Sequence, residues 1–205
     1  MKKNKIALFG LAANPPTLGH RYVIESIINS KLVDEILIMP VYKHFHNKTM
    51  VPFENRFEMC NILFNDLKDK VKIVDFEKQI VENYEEYKGS TYELLNCLPI
   101  ISQIDINNLY IVIGQDNAEN ILTWNNGNKL KIENKFIIIP REIDSDNDKW
   151  YMKLPNYFLN DIKLFNVSST EVRNELKNNN TKRLLELVHK DVLSYILEKN
   201  LYMET

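Results

Sequence analysis

Apolar residues gather in short runs at positions 5–9, 35–41, 71–76, 109–114, 135–140 and 162–167. Most are nearly continuous rather than alternating, as in Ile36-Leu37-Ile38-Met39, Tyr110-Ile111-Val112-Ile113 and Phe136-Ile137-Ile138-Ile139. Strands covered on both faces read this way, as in a parallel sheet clothed by helices. Between the runs the spacing turns helical. Val23, Ile24, Ile27 and Ile28 form one stripe, Phe53, Phe57, Cys60, Leu63 and Phe64 a second, and Tyr92, Leu95 and Leu98 a third. The alternation predicts an α/β fold, a Rossmann-like doubly wound parallel sheet with its ligand at the carboxyl ends of the strands. After Val167 only helical patterns remain. Ser168-Ser169-Thr170-Glu171 has the form of a capping box, Asn178-Asn179-Asn180 stops the helix, and Thr181 and Asp191 are the expected caps of two more. The expected organisation is an α/β core over 1–167 and a small C-terminal helical extension over 168–205 of the same domain. The polar stretches 77–90 and 142–149 read as surface loops.

The junction after the first run carries the strongest chemical signal. Residues 10–20 read GLAANPPTLGH, so a buried strand enters a turn shaped by Gly and Pro and leaves it at a helix mouth. A helix start offers unpaired N–H groups and the positive end of a dipole, a ready site for phosphate. Pro15 and Pro16 stiffen the approach, Gly10 and Gly19 admit close contact, and Thr17 and His20 add a hydroxyl and an imidazole. A second start of this kind lies at Ser168, Ser169 and Thr170, with Arg173 one turn inside to supply a forked contact. Both follow predicted strands, so both can open on one crevice and grip a polyphosphate from two sides.

Composition narrows the chemistry. With 205 residues, 44% hydrophobic and 26% charged, the chain has the make-up of a soluble globular domain. A net charge of −2 removes any bulk attraction to nucleic acid. Cys60 and Cys97 lack Cys or His partners at metal-site spacing and read as buried free thiols of a reducing cytoplasm. The basic start at Lys2, Lys3 and Lys5 superficially suits a secretory signal, but Gly10 interrupts a short apolar run and Asn14-Pro15-Pro16 fits a structured turn. No run is long enough to cross a bilayer, which makes a cytoplasmic protein the expectation. Neither G-x-G-x-x-G nor G-x-x-x-x-G-K-[ST] occurs, which disfavours a dinucleotide-dependent oxidoreductase and a P-loop ATPase.

Residues 10–20 resemble the GGxFxPxHxGH element of the nucleotidyltransferase superfamily, and Val167–Arg173 (VSSTEVR) is similar to its ISSTxIR motif. Gly89-Ser90-Thr91-Tyr92, Ile113-Gly114-Gln115-Asp116, Leu122-Thr123-Trp124 and the closing Val192-Leu193-Ser194-Tyr195-Ile196 extend the likeness along essentially the whole chain. In this order they resemble the nicotinate/nicotinamide mononucleotide adenylyltransferases of NAD synthesis. The resemblance implies transfer of AMP from ATP to the 5′-phosphate of a pyridine mononucleotide, with release of pyrophosphate. It also implies Mg²⁺ carried on the ATP phosphates and no protein metal site. His20, Thr17, Lys48 and Arg173 are then the catalytic candidates. Gly10, Leu11, Asn14, Gly19, Gly114, Asp116, Ser168, Ser169 and Thr170 would join His20 and Arg173 around ATP. His46, Lys48, Thr91 and Trp124 would meet the acceptor, with the indole stacked on the pyridine ring. The pattern is broken at Leu11, Ala13, Asn14 and Thr17. Thr at this place is familiar from pantetheine-phosphate adenylyltransferases, and Asn-Pro-x-Thr resembles the eukaryotic-type nicotinamide enzymes. The acceptor therefore stays open between acid and amide. Pantetheine-phosphate adenylyltransferase, a cytidylyltransferase and a non-catalytic nucleotide sensor stand as alternatives, and a homo-oligomer remains open.

The stretch 42–48 packs His44, His46, Lys43 and Lys48 into one loop at the catalytic end. For His44 and His46 as metal ligands a nearby third ligand is missing. His189 falls among the C-terminal helices and reads as structural.

Overall fold

Residues 4–43, 49–141, 148–160 and 167–203 are described by the computed structural model. In chain order the elements are β1 (Ile6–Leu11), α1 (Leu18–Ser30), β2 (Glu35–Pro40), α2 (Phe53–Leu63), β3 (Val71–Ile73), α3 (Phe76–Asn83), α4 (Thr91–Ile101), β4 (Leu109–Gly114), α5 (Gln115–Glu119), α6 (Gly127–Glu133), β5 (Lys135–Ile139), β6 (Tyr157–Phe158), α7 (Ser169–Lys177), α8 (Thr181–Leu187) and α9 (Lys190–Glu198).

The strands form one sheet in the order β3-β2-β1-β4-β5-β6, and every neighbouring pair is parallel. Alternate residues of each strand enter opposite layers, which is why the apolar runs lack polar interruptions. Ala7, Ile36, Ile38, Val112 and Ile137 pack with Ile24 and Ile27 of α1, with Met59, Cys60 and Leu63 of α2, and with Val172, Leu187 and Ile196 of the C-terminal helices. Leu8, Leu37, Ile111, Phe136 and Ile138 pack on the other side against Ile80, Leu94, Leu98, Ala118 and Leu130. The helices after residue 168 thus close one of the two main cores.

Chain order reverses direction in the sheet between β1 and β4, where open α/β sheets bind ligands. The register shows why a crevice opens there. β1 pairs with β4 only from Ile6↔Leu109 to Leu8↔Ile111, although both strands run three residues further. Beyond that point β1 stays with β2 as far as Leu11↔Pro40, and β4 stays with β5 as far as Gly114↔Ile139.

Several expectations need correction. The stretch 77–90 is not all surface loop, because α3 occupies its first half with Glu77 and Ile80 buried. The expected strand at 162–167 lies outside the described residues except Val167, and the sixth strand is the short pair Tyr157–Phe158. Asn180 rather than Thr181 caps α8, and His189 rather than Asp191 caps α9 by accepting from the Asp191 N–H. Ser168 does cap α7, but the Glu171 carboxylate receives Arg183 of α8 instead of closing a capping box. Cys60 is fully buried, with burial pushing its thiol up to about 12, whereas Cys97 is only half-buried.

Candidate active site

A cavity of about 860 Å³ fills the gap between the diverging ends of β1 and β4. Gly10 and Leu11 of β1, Met39 of β2 and Val41 just after it, Ile113 and Gly114 of β4 and Arg141 after β5 meet in its walls. A Cβ built on Gly10 would touch only Met39 Cε at 3.7 Å, so this glycine leaves open space at the cavity floor.

The first helix start is built around one local hydrogen-bonded unit. Thr17 is the N-cap of α1 and its hydroxyl accepts from the His20 N–H, while the Thr17 N–H donates to His20 Nδ1 at 3.0 Å. The Thr17 hydroxyl also lies 2.8 Å from Nδ1. An Nδ1 that accepts a backbone N–H carries no proton, so the neutral ring bears its hydrogen on Nε2. Burial, then the nearby positive charge of Arg141, hold the His20 imidazolium down to about 4. At neutral pH His20 is therefore an uncharged Nε2–H donor in the cavity wall, packed 6.4 Å from the Phe9 ring centroid.

The turn before it is held by long-range bonds. Ala13 takes φ 49°, a left-handed conformation in which the Cβ crowds the carbonyl oxygen at a cost of roughly 1–2 kcal/mol. The buried Asn14 side chain accepts from the Val51 N–H at 3.2 Å and donates to the Thr49 carbonyl. Arg56, also buried, donates to the carbonyl oxygens of Ala12, Val41, Tyr42 and Val51, tying the ends of β1 and β2 together. Arg56→Met fills the same space without donors and leaves four carbonyls unpaired. It is expected to lower unfolding stability by roughly 3 kcal/mol or more, read from denaturant midpoints.

The second helix start docks directly on the first. Ser169 Oγ donates to the Pro15 carbonyl at 2.8 Å, and Arg173 Nη1 donates to the Asn14 carbonyl at 2.8 Å. A Cβ on Gly19 would lie 3.5 Å from the Val167 Cβ and carbonyl oxygen, so a larger residue there would press on the docking surface. Residues more than 150 positions apart in sequence thus share one site. Ser168 and Ser169 line the cavity with Thr17, Gly19 and His20. Thr170 and Arg173 stand just behind, with the Thr170 hydroxyl accepting from Arg173 Nη2 at 3.0 Å.

The remaining candidates divide. Thr91, at the start of α4 behind its cap Ser90, and Trp124 face the cavity together with Gly114. Asp116 is exposed beside Arg141 at 3.4 Å, and Asn117 joins the lining in its stead. His46 and Lys48 lie outside the described residues, as does His44. Arg141 is the cation that the motif reading missed. Its backbone N–H donates to the Gln115 side chain, and its guanidinium reaches the cavity with enough charge to act on His20. A basic residue at the carboxyl end of a predicted strand was the available signal. Lys43, part of the 42–48 stretch expected at the catalytic end, lines the same space, as do Glu77 and Tyr87, which the sequence left without a role. Among the described residues no three His, Cys, Asp or Glu side chains gather as a metal cage, and no helix is long and apolar enough to cross a membrane.

Comparison with known proteins agrees with this geometry. The cytidylyltransferase-like family model matches residues 8–175. A relative from Acholeplasma laidlawii called a probable nicotinate-nucleotide adenylyltransferase is 31% identical over 97% of this chain and 98% of its own length. One of the same name from Fusobacterium nucleatum is 29% identical over 92% of this chain and 99% of its own. Among solved structures, Plasmodium falciparum nicotinic acid mononucleotide adenylyltransferase complexed with NaAD superposes with a TM-score of 0.81 at 27% identity, covering 98% of both chains. The same enzyme complexed with APC gives 0.79. The parallel sheet, the crevice at its switch point and the two docked helix starts place this chain in the cytidylyltransferase-like family of nucleotidyltransferases, beside the nicotinate-nucleotide adenylyltransferases.

Proposed function

We propose that the protein transfers AMP from ATP to the 5′-phosphate of nicotinate mononucleotide, releasing pyrophosphate, as a step of NAD formation. The docking of α7 on the turn before α1, through Ser169 and Arg173, carries this reading, because it aims two sets of helix N–H groups at one cavity. An oxygen of the mononucleotide phosphate attacks the α-phosphorus in line. The bond to the bridging oxygen of the β-phosphate breaks, and pyrophosphate carries away the electron pair. Such a reaction asks for positioning and charge stabilisation rather than for a covalent intermediate.

His20 Nε2–H donates to the α-phosphate as negative charge builds, and Thr17 fixes the ring in that tautomer. Ser168, Ser169 and the α7 amides hold the β and γ groups. Arg173 and Thr170 brace that helix start from behind, and Arg141 supplies the cation over the crevice. Gly114 and Asn117, with Asp116 next to them, border the adenosine, while Thr91 and Trp124 receive the pyridine ring. Mg²⁺ would come with ATP on its phosphate groups rather than on a protein cage, and would supply neutralisation of their charge. His46 and Lys48 stay in this reading as acceptor contacts. The protein's setting is the cytoplasm, in keeping with the free Cys60 and Cys97.

The test is turnover with ATP, Mg²⁺ and one acceptor at a time: nicotinate mononucleotide, nicotinamide mononucleotide or pantetheine phosphate. Pyrophosphate release should be fastest with nicotinate mononucleotide. Faster release with the amide moves the assignment to the nicotinamide enzymes, and release only with pantetheine phosphate overturns it.

A further inference from the structure

Two buried charged side chains outside the transfer chemistry grip the same short piece of backbone from opposite sides. Arg56 of α2 donates to the carbonyl oxygens of Val41 and Tyr42, at 2.6 and 3.2 Å. Glu77 of α3 accepts the N–H groups of Tyr42 and Lys43. Its other oxygen accepts from the Tyr87 hydroxyl at 3.1 Å. Arg56 is 1% exposed and Glu77 5%. Cation and anion thus meet through the peptide groups that run between them; Arg56 bonds to main-chain carbonyls, and Glu77 to main-chain N–H groups and the Tyr87 hydroxyl.

A strand end can be closed far more simply, by a turn or by water. Removing two charges from water costs several kcal/mol for each before their bonds are counted, so the arrangement gives a defined position rather than economical stability. What it defines is the exit of β2, where Val41 and Lys43 enter the cavity wall that also holds Thr17 and His20. Through Tyr87 the same carboxylate reaches the segment that leads to Gly89 and Thr91 on the acceptor side. An ammonium on a flexible stem recognises phosphate as a point charge, so its value depends on where the backbone puts it.

We propose that Arg56 and Glu77 are a positioning pair that acts through Lys43, holding its ammonium against a phosphate group of the bound nucleotides. The proposal rests on the adenylyl-transfer reading for the identity of those nucleotides. Neither side chain touches substrate; the contact belongs to Lys43.

A double-mutant cycle tests it, with kcat and KM for ATP and nicotinate mononucleotide, and the Kd of each, measured on four proteins. Lys43→Ala should lower kcat/KM about 30-fold, within the range of one charge-assisted hydrogen bond. Glu77→Gln keeps the size of the side chain but turns an amide donor toward a donor, and should lower kcat/KM about tenfold. In the Lys43→Ala background the same Glu77→Gln change should matter less than about twofold, since the group it positions is gone. Equal losses in both backgrounds, or a Glu77→Gln enzyme within twofold of wild type, overturn the proposal. Should Glu77→Gln fail to fold, Tyr87→Phe, which removes one donor from the carboxylate, enters the same cycle with the same criteria. If wild type binds both nucleotides but releases no pyrophosphate, the adenylyl-transfer reading fails alone, and the cycle in Kd still decides the role of the pair.

Discussion

His20→Ala is expected to lower kcat by about 10²–10³-fold, the usual loss when one donor to a developing oxyanion is removed, with ATP binding changed only a few-fold. The structure sharpens the prediction beyond loss of a histidine. The Thr17 N–H fixes Nδ1 as an acceptor, and burial beside Arg141 keeps the ring neutral down to about pH 4. The group therefore works as an uncharged Nε2–H donor. His20→Gln, which offers a neutral N–H at similar reach, should recover roughly tenfold over His20→Ala if one neutral hydrogen bond is restored. An imidazolium acid would make the two variants equally poor. The pH dependence has a definite sign. The folded value lies below the ordinary 6.5, so between about 6.5 and 4 the unfolded chain binds the proton and the native site does not. Stability contributed by the neutral ring is complete above 6.5 and is lost as pH falls through that window. Urea titrations at pH 7.5 and 5 should show a smaller loss for His20→Gln than for wild type. A kcat/KM profile with an essential protonation near 7 that vanishes in His20→Gln would contradict the assignment.

Gly127→Ala should be the most damaging single methyl in the chain. A Cβ there would stand 1.9 Å from the Ile121 carbonyl oxygen, 2.9 Å from its carbon and 3.1 Å from Leu122 Cα. All three are main-chain atoms, so no side chain can rotate away and the Ile121–Thr123 turn itself has to move. That oxygen also accepts the Trp124 N–H at 3.1 Å, and the Gly127 N–H donates to the Trp124 carbonyl at 2.9 Å. The expected cost is about 3 kcal/mol, at the upper end of overpacking, which shifts the melting temperature by roughly 10 °C at this chain length. Because the displaced turn carries Trp124, the folded fraction should also show a KM for the mononucleotide raised several-fold while the KM for ATP holds. A Gly127→Ala protein with unchanged melting temperature would mean that the turn is more compliant than these contacts allow.

The parts of the molecule readable in the sequence are those governed by neighbours along the chain. The apolar runs mark the long strands because a doubly covered strand must be apolar at every position, and Thr17 and His20 stand only three positions apart. The short β6 has no such run, and α3 is written in polar residues with Ile80 as its one buried aliphatic, so it reads as a loop. Arg56 gave no local sign of being buried, because its acceptors lie as far as 44 positions away. Arg173 is the instructive intermediate. Motif likeness marked it, but only the fold shows that its guanidinium reaches back 159 positions to the Asn14 carbonyl and braces the opening turn. Asn14 likewise matched a ligand position by motif, while its side chain is engaged with residues 49 and 51.

That bracing ties competence to the order of synthesis. A nascent polypeptide still lacking residues 168–203 would already contain the strands and the first helix mouth. Ile24 and Ile27 would lack the cover that Val172, Leu187 and Ile196 give them, and the Pro15 and Asn14 carbonyls would lack Ser169 and Arg173. One half of the proposed phosphate grip is thus encoded more than 150 residues after the other, and the opening turn lacks its brace until residues 168–173 have left the ribosome and docked.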